Sequence, residues 1–264
     1  MTDEDGSEVD HATYLDAKRA VDDRSLNRDV LDAFGAALPA DPTVLEVGAG
    51  TATMVERLVE WGVVDGGRWV AVDAHEAALA AGRDRLGDRV GDVAMTYRVA
   101  DAFEFAAEAA EAGERFDAVV GCAFFDVVDA APAVDALSAV APVAYAPITY
   151  DGETTLAPAD PADDAVLAAY HRHMRDRRPG GPDGAEALAD AAAETVASGP
   201  SAWRIEPPYS PGDRTVLAHL LDTIESAVGE VGYDASDWAA RRRAAMAADE
   251  LAYRAANRDL LVRF

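Results

Sequence analysis

From Thr43 to Tyr150 short β-branched runs alternate with helical stretches, and this rhythm confines the chain to a sheet with helical crossovers. The runs are Thr43–Val47, Arg68–Val72, Met95–Ala100, Asp117–Ala123 and Val143–Thr149. The fourth is apolar, as a parallel strand covered on both faces must be. Between the runs lie Thr51–Trp61, His75–Leu86, a stretch around Glu104–Ala112, and Val134–Val140. Met54, Val55, Leu58 and Val59 give the first of these helices one apolar face, and Gly62 ends it. The expected fold class is α/β, with a doubly wound, mostly parallel sheet of seven strands and helical lid insertions.

The flanks follow a different pattern. Residues 1–10 are acidic and polar and are expected to be a disordered tail. Residues 11–38 are expected to be helical, because Leu26, Val30 and Phe34 recur every four residues. Residues 43–150 form the expected ligand-binding core, and 156–197 and 212–256 the helical lid segments. Residues 202–206 and 259–264 are expected to be closing strands. Arg178-Pro179-Gly180-Gly181-Pro182 interrupts the first lid segment as a loop within a single domain of 264 residues.

Charge narrows the setting. The chain carries 49 acidic and 23 basic residues, for a formal net charge of -26. Lys18 is its only lysine. The acids are spread from Asp3 to Asp259 without a block, which favours a solvated surface suited to high salt over a docking site for one basic partner. Nucleic acid is a weak candidate on this balance, since phosphates need a local basic patch. Cys122 is the only cysteine, so no internal disulfide or cysteine zinc cluster is expected, and no metal site. No apolar run approaches the ~20 residues of a membrane helix, and a cytoplasmic protein is expected.

The candidate site begins where the first strand turns into the first helix, at Glu46-Val47-Gly48-Ala49-Gly50-Thr51. Glycines there allow a tight turn and let a ligand lie against the main chain. Dinucleotide folds add a third glycine three positions on; here that residue is Thr53. Glu46, two residues before the first glycine, is poorly placed for a pyrophosphate and suits an ammonium group.

This motif resembles the first motif of class I S-adenosylmethionine-dependent methyltransferases, a Rossmann-like family, and the resemblance spans roughly Thr43 to Tyr150. It implies that Glu46, Gly48, Ala49 and Gly50 wrap the methionine part of S-adenosylmethionine. It implies that Asp73, with Ala74 beside it, holds the ribose hydroxyls, and that Asp101, Ala102 and Phe103 read the adenine. Cys122 then lies beside the transfer centre, and the product is S-adenosylhomocysteine.

The methyl acceptor is expected outside the carboxyl ends of the strands, roofed by the lid helices. Asp126, His171 and Tyr150 are the candidates for catalysis, and Phe125 and Tyr150 for acceptor contact. Arg19, Asp23 and Asn27 share one helical face, where an arginine could clamp a carboxylate; the other reading is a solvated ion-pair ladder. Tyr14, Tyr170 and Tyr209 are expected to be packing residues. The expected partner is a small-molecule acceptor, with a homodimer left open. The competing functions are an NAD-dependent oxidoreductase and a non-enzymatic nucleotide sensor on the same scaffold.

The acid excess carries its own test. The midpoint of thermal unfolding should rise by several degrees between about 0.1 M and 3 M KCl, as salt screens self-repulsion. A midpoint that does not move with KCl would contradict the high-salt reading.

Overall fold

The computed structural model describes residues 11–177 and 179–264; the expected tail at 1–10 lies outside the described residues. One sheet of eight strands runs through the molecule in the order β3-β4-β2-β1-β5-β6-β8-β7. Its strands are β1 (Thr43–Val47), β2 (Arg68–Asp73), β3 (Arg89–Val90), β4 (Val93–Val99), β5 (Ala118–Val120), β6 (Val143–Ala157), β7 (Glu194–Ile205) and β8 (Ala252–Arg263). The expected seven become eight because β3, a two-residue strand, folds back antiparallel on β4 through Gly91.

Strands β4, β2, β1, β5 and β6 are parallel. Chain order runs outward in both directions from β1 and β5, so the topological switch point opens a crevice at their carboxyl ends. The helices are α1 (His11–Asp23), α2 (Arg28–Ala37), α3 (Thr53–Glu60), α4 (Glu76–Leu86), α5 (Ala102–Glu111), α6 (Ala130–Ser138), α7 (Asp163–Arg177), α8 (Gly184–Ala191), α9 (Pro211–Glu230) and α10 (Ser236–Ala247).

Alternation along the strands sorts side chains into two faces. Leu45, Val47, Val70, Val72 and Val119 pack with Ala106 of α5, Leu137 of α6 and Leu188 of α8. On the other face Val44, Trp69, Ala71, Val120 and Tyr145 pack with Val30 and Phe34 of α2 and Leu58 of α3. A third core lies beyond them. Tyr150, Leu156, Ile205, Tyr253 and Ala255 from the far ends of β6, β7 and β8 pack under Val21 of α1, Val166 of α7, Leu217 and Leu221 of α9, and Trp238 of α10.

That third core corrects the expected boundaries. Strand β6 runs to Ala157, well past Thr149; β7 begins at Glu194, within the stretch expected to be lid helix; and β8 begins at Ala252, taking the last five residues of the second expected lid. Strand β8 pairs antiparallel with both β6 and β7, and in β7 and the far end of β6 buried positions alternate with exposed ones, so apolar residues alternate with polar ones and alanines. Alanine-rich alternation of that kind also suits a helix, which is why the pattern misleads.

Asp259 locks this region to the parallel core. Its side chain is fully buried, and it accepts hydrogen bonds from the Ile148 N–H at 2.8 Å, the Ser201 hydroxyl at 2.6 Å and the Asn27 N–H at 2.7 Å. The last of these seats Asn27, whose own side chain caps α2 by accepting from the Val30 N–H at 3.2 Å. One carboxylate therefore ties β6, β7 and the start of α2 together, and it holds Ile148 at the left-handed φ of 58°.

Candidate active site

The turn after β1 is built as the glycines require. Gly48 and Gly50 take φ of 60° and 53°, and a Cβ on Gly48 would stand 2.8 Å from the Phe124 ring. Two amides of the turn are spent on β2: the Ala49 N–H donates to the Val72 carbonyl at 3.0 Å and the Gly50 N–H to Asp73 Oδ2 at 2.7 Å. The other Asp73 oxygen accepts from the His75 N–H at 2.7 Å. Helix α4 approaches closely because Gly82 lacks a side chain; a Cβ there would meet the Thr51 carbonyl oxygen at 2.5 Å.

Glu46 is 2 % exposed and accepts from the Trp69 indole N–H at 2.7 Å. Burial raises its pKa to about 7, against the lowering by the Trp69 hydrogen bond and the Arg57 charge. Asp101 is exposed and caps α5, Oδ1 accepting from the Phe103 and Glu104 N–H groups at 2.8 and 3.1 Å. Ala102 is buried, Phe103 half-buried, and Ala74 exposed just after β2. Cys122 lies in the turn just after β5, and burial pushes its thiol up to about 12, so it is no nucleophile.

Two cavities open at the crevice. The smaller, about 60 Å³, is lined by Glu46, Gly48, Ala49, Gly50 and Cys122 together with Lys18 and Asp22 of α1. The larger, about 360 Å³, lies over the outer sheet between α1, α7 and α9. Asp126 and Tyr150 line it, and the rings of Tyr14, Tyr150, Tyr170, Trp203 and Tyr253 surround it. Ala123 and Ile148 also line it, both with left-handed backbone, which for alanine and isoleucine is strained. The Tyr150 hydroxyl lies 2.8 Å from His171 Nε2 and 2.9 Å from Thr154 Oγ1. His171, half-buried on α7, has its pKa lowered by burial.

Four expected acceptor contacts are elsewhere. Arg19 pairs with Glu56 at 2.6 Å and Glu60 at 2.8 Å, and Asp23 pairs with Arg57. Asn27 caps α2 and donates to the Pro200 carbonyl at 3.0 Å. This helical face is thus an ion-pair and capping ladder between α1, α3 and β7, not a clamp. Phe125 is fully buried in the core against Phe124. Tyr14 and Tyr170, expected to be packing residues, line the larger cavity; Tyr209 donates to the Leu251 carbonyl.

Sequence reasoning missed Lys18, Asp22, Trp203, Tyr253 and Asn257. Only Lys18 advertises itself, as a solitary lysine among arginines. Asp22 is one helical turn beyond it on α1, and Trp203, Tyr253 and Asn257 come from β7 and β8, whose pairing with β6 joins segments far apart in the chain. Among the described residues no group of three or more His, Cys, Asp or Glu could hold a metal, and no helix is long and apolar enough to cross a membrane.

Comparison with known proteins bears on the core. Residues 44–144 match the model of a methyltransferase domain. That segment spans β1 to the start of β6, and it contains the glycine turn, Asp73 and Asp101. No curated protein matches the chain. Among solved structures, a SAM-dependent methyltransferase from Thiobacillus denitrificans in complex with S-adenosyl-L-homocysteine aligns at 15% identity, over 97% of this chain and 98% of that one, with a TM-score of 0.48. The cyclopropane synthase MmaA2 from Mycobacterium tuberculosis aligns at 12% identity over 96% of each chain, with a TM-score of 0.49. The fold assignment rests on the strand order above rather than on these scores.

Glu46 yields a pH test. Between the ordinary carboxylate value of 4.5 and about 7, the folded state keeps a proton that the unfolded chain has released, so stability falls as pH rises through that window. Glu46→Gln should flatten this slope and stabilise the ligand-free protein at pH 7.5 by roughly 1–3 kcal/mol, measured by denaturant unfolding at fixed salt. An unchanged slope would show that Glu46 ionises freely in the fold.

Proposed function

We propose that the protein transfers a methyl group from S-adenosylmethionine to a small-molecule acceptor held in the 360 Å³ cavity. The observation that carries this reading is the adjoining pair of sites: a glycine cradle at the switch point, and an aromatic cavity beside it that shares a wall with it. The methyltransferase-domain match over 44–144 supports the cofactor. The residues present suit it: the Cβ-free surface of Gly48 and Gly50 admits a ligand against the main chain, and buried Glu46 faces the space an ammonium would fill. Each Asp73 oxygen already accepts one backbone N–H and keeps a lone pair for a ribose hydroxyl. On this reading Asp101, whose Oδ1 caps α5, offers Oδ2 to the base, with the Ala102 amide and the Phe103 ring beside it.

When bound, S-adenosylmethionine supplies a methyl group activated on a sulfonium sulfur for in-line displacement. The chain's part is alignment and exclusion of water, which can contribute ~7–11 kcal/mol without a dedicated catalytic group. An acceptor hydroxyl must also lose its proton. Tyr150, whose hydroxyl faces the cavity, takes that proton as it hands its own to His171 Nε2, and the half-exposed imidazole releases it to solvent. The lowered pKa of His171 keeps the ring neutral and able to accept. Asp126 lies on the same wall as a hydrogen-bond acceptor for the acceptor molecule.

A dinucleotide oxidoreductase is disfavoured by Thr53 in place of the third glycine and by the buried carboxylate of Glu46 at the turn. A cavity of substrate size next to the cradle disfavours a sensor that binds nucleotide alone. The setting and the acid-rich surface point to the cytoplasm of a cell with high internal salt. Transfer of radiolabelled methyl to a panel of small hydroxylated acceptors tests the reading. Tyr150→Phe should lower kcat by about 10²–10⁴-fold while leaving the Kd of S-adenosylhomocysteine unchanged. Full turnover by Tyr150→Phe would remove the relay, and no transfer to any acceptor by a protein that binds the cofactor would favour the sensor.

A further inference from the structure

The only lysine of the chain is one of its least exposed polar residues. Lys18 is 9 % exposed on α1, while the surface cations are arginines. It lines both the glycine cradle and the aromatic cavity, and among the described residues no other side chain does. Its ammonium donates to Asp22 at 3.1 Å and stands 5.1 Å from the centre of the Trp203 ring. Asp22 is itself shared: its other oxygen accepts from the Trp203 indole at 3.0 Å, and Arg57 reaches the Lys18-bound oxygen at 3.2 Å. An ammonium has three protons to donate, and one carboxylate oxygen, divided between two cations, satisfies one of them.

A second donor lies on the same wall. Asn257 of β8 is 4 % exposed, lines the larger cavity, and its Nδ2 is buried without a hydrogen-bond partner among the described residues. It pairs in register with Tyr150 on one side and Ser201 on the other, two residues along β8 from Ala255, which faces Trp203. A buried amide donor left unpaired costs about 1–3 kcal/mol in general, so such groups are commonly met by a ligand or ordered water. The remaining charged group on the lining is Asp126, an acceptor. The rest is rings, His219 among them, with aliphatic side chains such as Ile148, Met174 and Leu220 and two threonines.

From this arrangement we propose that the methyl acceptor is a small acid with a flat apolar body and a hydroxyl or amine donor, its anionic oxygen seated on Lys18 and Asn257. The aromatic rings take the body, and Asp126 or Tyr150 the donor. Lys18 stays charged in the cavity, because the Asp22 carboxylate outweighs the cost of burial and holds the ammonium above its ordinary pKa. A guanidinium in its place would be broader and planar, which accounts for lysine here in a chain that uses arginine elsewhere. The inference rests on the methyl-transfer reading for the word acceptor, but not for the anion site itself.

Calorimetry in concentrated KCl tests it with 4-hydroxybenzoate and its neutral analogue 4-hydroxybenzamide, each titrated into protein with and without S-adenosylhomocysteine. The acid should bind at least tenfold more tightly than the amide. In Lys18→Gln, with a far-UV spectrum and melting curve like the parent's, that preference should fall to within twofold while amide binding is kept. Equal binding of acid and amide by the unaltered protein overturns the proposal without any variant, as does failure of both to bind at millimolar concentration. If Lys18→Gln instead weakens S-adenosylhomocysteine and spares 5′-methylthioadenosine, which lacks the aminoacyl carboxylate, Lys18 belongs to the cofactor and the proposal falls. If S-adenosylhomocysteine does not bind at all, the methyl-transfer reading fails, and the acid preference of the cofactor-free protein still decides the anion site.

Discussion

A single carboxylate from β2 holds the turn on which the site depends. Asp73 receives the Gly50 N–H and the His75 N–H, so the loop leaving β1 and the start of α4 are fastened to the same strand end. The Ala49 N–H on the Val72 carbonyl adds a third tie. With the Ala49 and Gly50 amides committed to β2, the turn has fewer donors left to form an anion-binding nest. A donor nest would favour a pyrophosphate; a turn with fewer donors next to the carboxylate of Glu46 suits a cationic aminoacyl group. The chemistry proposed for the cradle follows from where those few hydrogen bonds go.

The second requirement is a wall for the acceptor, and the outer sheet supplies it. Strands β6, β7 and β8 run far past the parallel core, and their projecting ends carry Tyr150, Trp203, Tyr253 and Asn257 onto one face. Helices α1, α7 and α9 close over that face. Asp259 couples this platform to the core by gripping Ile148, Ser201 and Asn27 at once. A buried carboxylate is tolerable there because every bond it needs is made within the protein, although burial still raises its pKa.

The parallel half was legible in the sequence because β1, β2 and β5 are buried on both faces and read as largely apolar runs ending at a glycine or an acid, while β4, only partly buried, also ends before an acid, Asp101. Glu46, the two glycines, Asp73 and Asp101 were found for that reason. The outer half was legible only at 202–206 and 259–264, which overlap the ends of β7 and β8. Glu194–Ile205 contains Ala, Ser, Gly and Pro, and Ala252–Arg263 mixes Ala with Arg and Asn, so neither carries a β-branched signature. Their pairing comes from partners far away in the chain. The stripe Arg19, Asp23 and Asn27 was correctly placed on one face, but spacing alone could not say that Glu56, Glu60 and Arg57 wait opposite. Tyr150 and His171 were singled out separately, and only the fold brings them within 2.8 Å.

The central claim is that the crevice at the switch point accepts the demethylated cofactor in preference to a dinucleotide. Isothermal titration of the purified protein with S-adenosylhomocysteine and, in parallel, with NAD, in about 3 M KCl, measures this directly. The account predicts saturable one-to-one binding of S-adenosylhomocysteine and no measurable heat from NAD. Tighter binding of NAD, or silence towards S-adenosylhomocysteine in a folded protein, would contradict it.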